Sequence, residues 1–286
     1  MRITTLILFF VLVVNIAFAS DKPAYKIFDK SGDEVLYEDM FDRLQESNIV
    51  MFGELHNNPI CHWLQYEVTK DLFEIKKVSL ILGAEMFEAD NQIIVNEYLK
   101  GQLTDKSFEK EAKLWGNYKT DYKPLLEFAK TNNLNFIATN IPRRYASLVY
   151  SKGLEALDSL AKDAYQWITP LPIAVDLELK CYKDILEKAE GHGGENLPYA
   201  QAIKDATMAY FILNNYKRGD LFLHFDGAYH SDNFEGIVWY LKKDKPNLDV
   251  VTISSVEQND LGELNKDFYG LADFIICINE NMTKTH

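Results

Sequence analysis

Cysteine and positive charge are both scarce in this chain of 286 residues. The three cysteines, Cys61, Cys181 and Cys277, are too few and too scattered for a disulfide scaffold, and their odd number leaves at least one thiol free. Lys and Arg number 30 against 43 Asp and Glu, which gives a formal net charge of −13. The sequence has no basic stripe to neutralise phosphates, so we expect no nucleic-acid partner.

Long apolar runs are also rare, and the clearest one runs from Ile3 to Phe18. Met1-Arg2 precedes it and Ala17-Phe18-Ala19 ends it, which is the pattern of a secretory signal peptide cleaved after Ala19. The run is interrupted by polar residues and is short of the roughly 20 apolar residues that a membrane-spanning helix needs. No cysteine follows the cleavage point to carry a lipid. We therefore predict a protein that is exported, periplasmic or secreted, is not an evident lipoprotein, and has no transmembrane segment after signal removal.

Shorter apolar runs of strand length recur along the rest of the chain. Each is nearly continuous rather than alternating, which is typical of strands buried on both faces. Helical patterns lie between them, one of them beginning at Pro59 behind an Asn58 cap. The alternation predicts an α/β fold in which a mainly parallel sheet is flanked by helices. The six runs are Asn48 to Phe52, Val78 to Ala84, Leu134 to Thr139, Leu221 to Phe225, Val250 to Ser254 and Phe274 to Ile278.

The alternation stops between the third and fourth runs. This segment contains no convincing strand, while helical patterns cover Ala146 to Tyr165 and Pro198 to Lys217. We expect a helical insertion subdomain at about residues 144–219. It would be carried by one α/β domain that spans residues 20–286 and follows the signal peptide at residues 1–19.

The pattern Gly-x-x-His occurs twice, as Gly53-Glu54-Leu55-His56 and as Gly227-Ala228-Tyr229-His230. With 14 Gly and 6 His in the chain, roughly 0.3 matches are expected by chance. Both copies directly follow a predicted strand. A glycine there lets the backbone turn sharply or approach a ligand closely.

The ends of the predicted strands carry most of the reactive side chains. In open parallel sheets, ligands bind in the crevice beyond the carboxyl ends of the strands. We therefore expect Glu54, His56, Glu85, Arg143 and His230 in one crevice. Three interpretations follow from these residue types. The two histidines could bind Zn, Mn or Fe together with Glu54 or Glu85. The set could act as general base and acid with the arginine stabilising an oxyanion. The side chains could also simply cap helices and turns.

An ordered series of motifs runs through these elements. It comprises Gly53-Glu54-Leu55-His56-Asn57-Asn58-Pro59 with His62 and Gln65, Ala84-Glu85-Met86-Phe87 with Gln92, Trp115 with Tyr118, Tyr122-Lys123-Pro124-Leu125-Leu126, Asn140-Ile141-Pro142-Arg143, Gln201 with Asp205-Ala206-Thr207-Met208-Ala209, and Gly227-Ala228-Tyr229-His230. The series resembles the ChaN family of haem-binding uptake proteins, in the wider Tiki/TraB and erythromycin-esterase-like superfamily. The resemblance covers about Val50 to Gly236.

The resemblance implies haem as the ligand and a role in haem or iron acquisition. It also implies a parallel-sheet core with a helical subdomain, a homodimer that shares haem, and outer-membrane uptake machinery as a partner. Haem needs an apolar aromatic slot and an axial ligand, which Tyr or His can supply. The haem-binding candidates are Tyr118, Tyr122, Tyr199 and His62.

Other members of the superfamily imply a different function. They are hydrolases or metal-dependent peptidases that use the paired Gly-x-x-His segments and a glutamate. In that case His56, Glu85 and His230 would hold a divalent metal or shuttle protons, Glu54 would be a base or ligand, and Arg143 would bind substrate. A third hypothesis is a degenerate site in a binding module whose partners are proteins.

Overall fold

The structure is a computed structural model that describes residues 22–188 and 194–286. The predicted signal peptide lies outside the described residues, so export and cleavage after Ala19 stay predictions. Within the described ranges, no helix is both long enough and apolar enough to cross a membrane.

The described residues form a sheet of eight strands in the order β2-β1-β8-β7-β3-β6-β4-β5. The strands from β8 to β5 pair in parallel, while β1 pairs antiparallel with β2 and β8. The mainly parallel sheet and all six predicted strands are confirmed. The strands are β1 (Tyr25–Asp29), β2 (Glu34–Val35), β3 (Ile49–Glu54), β4 (Leu80–Glu88), β5 (Asn135–Asn140), β6 (Leu221–Gly227), β7 (Val250–Gln258) and β8 (Phe274–Asn279).

The antiparallel edge formed by β1 and β2 was missed by the sequence analysis. β2 has only two residues, and only Ile27 and Phe28 of β1 are buried. A strand this short and this polar lacks the continuous apolar run that identified the six parallel strands. The position of β1 is set by its pairing with β8, and the local sequence does not reveal that contact.

Helices cover both faces of the sheet. They are α1 (Tyr37–Glu46), α2 (Pro59–Lys76), α3 (Gln92–Leu99), α4 (Asp105–Glu111), α5 (Lys123–Asn132), α6 (Arg143–Lys152), α7 (Lys180–Lys188), α8 (Leu197–Asn215) and α9 (Ile237–Asp244). α2 begins as predicted, because the Asn58 side chain accepts a hydrogen bond from the Ile60 amide at 3.0 Å.

The helix predicted over Ala146 to Tyr165 is wrong in length. α6 ends at Lys152 because Gly153 adopts a φ of 80°, which ends the helix. Two short 3₁₀ helices, Leu154–Ser159 and Lys162–Trp167, replace the remainder. The boundaries of an insertion at about residues 144–219 stay a prediction.

Alternate residues of the central strands enter different hydrophobic clusters. On β3, Val50 and Phe52 pack with the residues of α2 and α5, whereas Ile49 and Met51 pack with those of α8 and α9. All four side chains are fully buried. This burial on both faces explains why the strands read as continuous apolar runs.

The pairing of β3 with β6 brings the two Gly-x-x-His motifs side by side. Gly53 lies opposite Asp226, and Glu54 lies opposite Gly227. A Cβ on Gly53 would lie 2.8 Å from Ala228 Cα. A Cβ on Gly227 would lie 2.7 Å from the Nε2 of His56. Each glycine is therefore needed where the other motif approaches it, and neither supports a turn with positive φ.

We expect Gly53→Ala to lower the free energy of unfolding by about 1–3 kcal/mol, the usual cost of overpacking a buried site. The added methyl group would meet backbone atoms, which cannot move aside as a flexible side chain can. Urea denaturation measures this. The matched control is Gly116→Ala, where a Cβ has nothing within 4 Å. Equal stabilities of the two variants would contradict the close-approach argument.

Candidate ligand-binding crevice

The carboxyl ends of the parallel strands border a crevice with two compartments. The larger has a volume of about 520 Å³ and lies at the ends of β3, β6 and β7. The smaller, of about 350 Å³, lies at the ends of β4 and β5. His56 lines both compartments. A cavity of about 1130 Å³ beside β1 and β2 is lined by none of the predicted site residues.

The imidazole of His56 is held by the buried carboxylate of Glu54. Glu54 Oε1 accepts hydrogen bonds from His56 Nδ1 at 2.8 Å and from the Tyr122 hydroxyl at 2.7 Å. Its Oε2 accepts one from Gln65 Nε2 at 2.5 Å. Because Nδ1 donates, the neutral imidazole leaves Nε2 as an open acceptor. Burial lowers the pKa of His56, but the hydrogen bond to Glu54 and the charge of Glu85 outweigh it and raise the pKa overall.

His230 forms the buried floor of the smaller compartment. Its Nδ1 donates a hydrogen bond to Asp205, and its Nε2 lies 3.2 Å from Glu85 Oε1. Burial alone would lower the pKa of His230, but the two carboxylates raise it to about 10. The positive imidazolium holds the pKa of Glu85 well below its usual range, against the effect of burial. Glu85 Oε2 also accepts the amide hydrogen of Gly227 at 2.8 Å.

The four haem candidates from the sequence lie apart from the crevice lining. His62 is only 8 % exposed, and its ring nitrogens face Gln65 Oε1 and the carbonyl of His56. Tyr118 and Tyr122 are buried in the core on the α2 and α5 face. Tyr199 is half-buried on α8, in a cluster that α6 shares. None of the four is among the described residues that line either compartment.

The rim of the smaller compartment carries positive charge from two helices. Arg143, predicted from the sequence, is 73 % exposed at the start of α6, and its Nε lies 3.9 Å from Glu88 Oε1. Lys204 of α8 lines the same space and was missed, as was Trp115 as a wall. Lys204 directly precedes the Asp205 motif, and that neighbourhood was the available signal.

The predicted metal ligands line one compartment, but two of them, Glu85 and His230, form an ion pair with each other. His56, Glu85 and His230 all line the smaller compartment. Both nitrogens of His230 face carboxylates, and Glu85 is engaged by His230 and by the Gly227 amide. Across residues 22–188 and 194–286, no group of three or more His, Cys, Asp or Glu side chains is placed to hold a metal ion. The Nε2 atom of His56 and the cationic side chains of the rim are the groups of this compartment that remain available to a ligand.

Comparisons with solved structures identify proteins of the same fold. ChaN of Campylobacter jejuni, described with cofacial haem, is 15% identical with a TM-score of 0.66, covering 89% of this chain and 97% of that one. A Bacillus cereus protein is 11% identical with a TM-score of 0.51, covering 85% and 90%. The erythromycin esterase EreC is 10% identical with a TM-score of 0.50, covering 91% and 99%. Identities this low show the fold alone. A comparison with curated protein sequences finds no match.

A family model described as haem-binding uptake, Tiki superfamily, ChaN matches residues 40–241. The match includes both Gly-x-x-His motifs, Glu85, Arg143 and α8. It spans more than half of the chain and confirms the resemblance found in the sequence. This protein therefore belongs to the ChaN family of haem-binding uptake proteins in the Tiki superfamily.

Proposed function

We propose that this protein binds haem in the crevice at the carboxyl ends of its parallel strands and serves in haem or iron acquisition. The observation that carries the proposal is the family match over residues 40–241, which includes the residues that build the crevice floor. In an uptake role the haem is cargo. The protein then has to bind and release the macrocycle and to keep it from water.

Apolar side chains form part of the crevice wall. Leu55, Val256, Phe268 and Leu271 line the larger compartment, together with the carboxylates of Glu54, Asp184, Asp232, Glu257 and Asp267. In the smaller compartment the Trp115 ring packs edge-on against His56, with ring centroids 4.9 Å apart. Apolar and aromatic side chains are the usual wall of a small-molecule site.

His56 is the imidazole that suits an axial position. Its side chain is 38 % exposed, whereas Tyr118, Tyr122 and His62 are buried. Glu54 fixes the ring through Nδ1, the carboxylate–histidine arrangement that orients imidazole ligands and raises their basicity. Among the described residues, Nε2 has no hydrogen-bond partner. We therefore assign the axial position to His56 rather than to the tyrosines or His62.

The proposal includes the setting of this binding. It places the chain in the periplasm or outside the cell, after removal of the signal peptide, beside outer-membrane uptake machinery. It also includes a homodimer that shares haem. The cofacial haem binding described for ChaN of Campylobacter jejuni supports a site in which two haems face each other.

The alternative of a metal-dependent hydrolase or peptidase is not favoured. The second histidine of the doubled motif, His230, is the centre of a buried ion pair that joins α8, through Asp205, to β4, through Glu85. This pair holds the crevice floor together. It leaves His56 as the member of the doubled motif that is open to a ligand.

We expect the mature protein to bind haemin with a shift of the Soret band. His56→Ala should weaken this binding by more than about tenfold, since even the groups that only hydrogen-bond to a metal ligand contribute about 10–100-fold. Absorbance titration measures both affinities. The control is His286→Ala, an exposed histidine near the end of the chain. A variant spectrum and affinity identical to those of the unaltered protein would contradict the assignment of His56.

Haemin should also promote self-association. We expect sedimentation velocity to show a species of twice the mass when haemin is added, because a shared cofacial site requires two chains. The haemin-free protein provides the baseline. Binding of haemin with no change in mass would exclude the shared site and leave haem binding intact.

The ion pair of His230 predicts a pH dependence of stability. The pKa of His230 rises from 6.5 to about 10 on folding. Its contribution to the free energy of unfolding is therefore complete below pH 6.5 and is lost as the pH rises towards 10. The lowered pKa of Glu85 makes its contribution complete above its usual 4.5 and lost as the pH falls below that value. The pair of His230 and Glu85 should therefore stabilise the fold most between about pH 4.5 and pH 6.5.

We expect His230→Ala to lower the free energy of unfolding by about 3–5 kcal/mol, the cost of leaving buried charges without their partner. The loss should be largest near pH 6 and smaller at pH 9. Urea denaturation at both values tests this, with His286→Ala as the control. A loss that does not depend on pH would rule out the ion pair as its source.

A further inference from the structure

The loop that carries His56, residues 55–58, is in contact with a segment that follows β8. We call residues 282–285 the strap. The Thr285 amide donates a hydrogen bond to the Asn57 carbonyl at 2.8 Å. At the other end of the strap, Met282 packs against the hydrophobic core. The strap lies outside residues 40–241, which the family model matches, so membership of the family does not account for this contact.

A second contact joins the strap to the last residue of the loop through one carboxylate. Glu257 Oε1, near the end of β7, accepts a hydrogen bond from Asn58 Nδ2 at 2.7 Å. The same oxygen forms an ion pair with Lys284. Both charged side chains are partly buried, so water screens this pair less than it screens a fully exposed one.

A third contact runs through the buried carboxylate of Asp121. Its Oδ2 accepts hydrogen bonds from the Thr285 hydroxyl at 3.0 Å and from Asn117 Nδ2 at 2.7 Å, and His62 Nε2 lies 3.4 Å away. The Asn117 amide also donates to the His56 carbonyl at 3.1 Å. Asp121 is only 3 % exposed, and a buried carboxylate is costly unless donors satisfy it. The Thr285 hydroxyl is one of these donors.

These three contacts hold the backbone of the loop, whereas Glu54 holds the imidazole. The hydrogen bond between His56 Nδ1 and Glu54 sets the direction of the ring. His56 and Asn57 themselves lie in a turn between β3 and α2. A binding side chain in such a turn is positioned only as well as its supporting contacts allow. A loop that is already held in its binding position also loses less conformational entropy when a ligand binds.

We propose that the strap is a positioning segment for His56, in which Lys284 and Thr285 hold the loop that presents the imidazole to a ligand. The inference rests on the proposed haem-binding function and adds residues outside the crevice that set its affinity. Neither Lys284 nor Thr285 is among the described residues that line the two compartments. Both therefore act through the loop and not by contact with the ligand.

The test compares two double variants of the full chain. Lys284→Gln/Thr285→Pro removes the ammonium group, the hydroxyl and the amide hydrogen, and with them all three polar contacts. The matched control, Lys284→Arg/Thr285→Ser, keeps a cation, a hydroxyl and an amide hydrogen at the same positions. Hydrogen exchange with mass spectrometry, without haemin, measures the protection of residues 53–60. We expect faster exchange there in the first variant alone, with unchanged exchange in β4 and β6.

Haemin titration then measures whether the position of the loop matters to the ligand. The first variant should lose about tenfold in affinity, the worth of one or two intramolecular hydrogen bonds. The control should bind haemin as the unaltered protein does. Unchanged exchange of the loop in the first variant would overturn the proposal, and so would faster exchange with an unchanged affinity. Faster exchange across the whole sheet would also overturn it, since the strap would then stabilise the fold rather than position the loop.

The two measurements separate the strap from the proposed function. No Soret shift in the unaltered protein would overturn haem binding. The exchange experiment contains no haemin, so a local rise in exchange at residues 53–60 would still support the strap as the segment that holds the His56 loop.

Discussion

The close approach of β3 and β6 is the contact on which the rest of the site depends. Parallel pairing puts Glu54 beside Gly227, and the absence of a side chain at Gly53 and Gly227 lets each motif occupy the space that the other leaves. His56 can then lie over Gly227, within reach of Glu54 and Glu85. A Cβ at either glycine would lie under 3 Å from an atom of the other motif, so that atom would have to move away.

The pairing of β3 with β6 determines where the buried charged groups of the crevice floor lie. The hydrogen bonds of these groups in turn stabilise that pairing. Burying a carboxylate or an imidazolium alone would be very unfavourable, so each must be paired and hydrogen-bonded. Glu54 accepts three hydrogen bonds from side chains, and Glu85 is paired with His230 and bound by the Gly227 amide. These bonds connect strands to helices that are distant in the chain. The floor of the crevice is therefore held together by paired and hydrogen-bonded polar groups as well as by apolar packing.

The strands and the location of the crevice could be predicted from the sequence because both are local properties. A continuous apolar run reports burial on two faces, and a motif directly after such a run must lie at the strand end. The roles of individual side chains were less predictable. Tyr118 and Tyr122 were candidates because they are aromatic residues within the family motifs, but both are buried in the hydrophobic core. Lys204 gave no signal of its own, because a lysine in a helix faces a cavity only through the packing of α8 on the sheet, which no local pattern encodes.

The side chains of the crevice divide into a floor and a rim. The floor residues of this chain satisfy one another, so they are committed to holding strands and helices together and have little capacity left for a ligand. Capacity remains in side chains that are exposed or incompletely paired, namely His56, Arg143, Lys204 and Asn140. Three of these lie on a helix or at the end of a strand rather than in the doubled motif. The rim is therefore the part of the crevice that is available to a ligand, while the pair of Gly-x-x-His motifs shapes the floor.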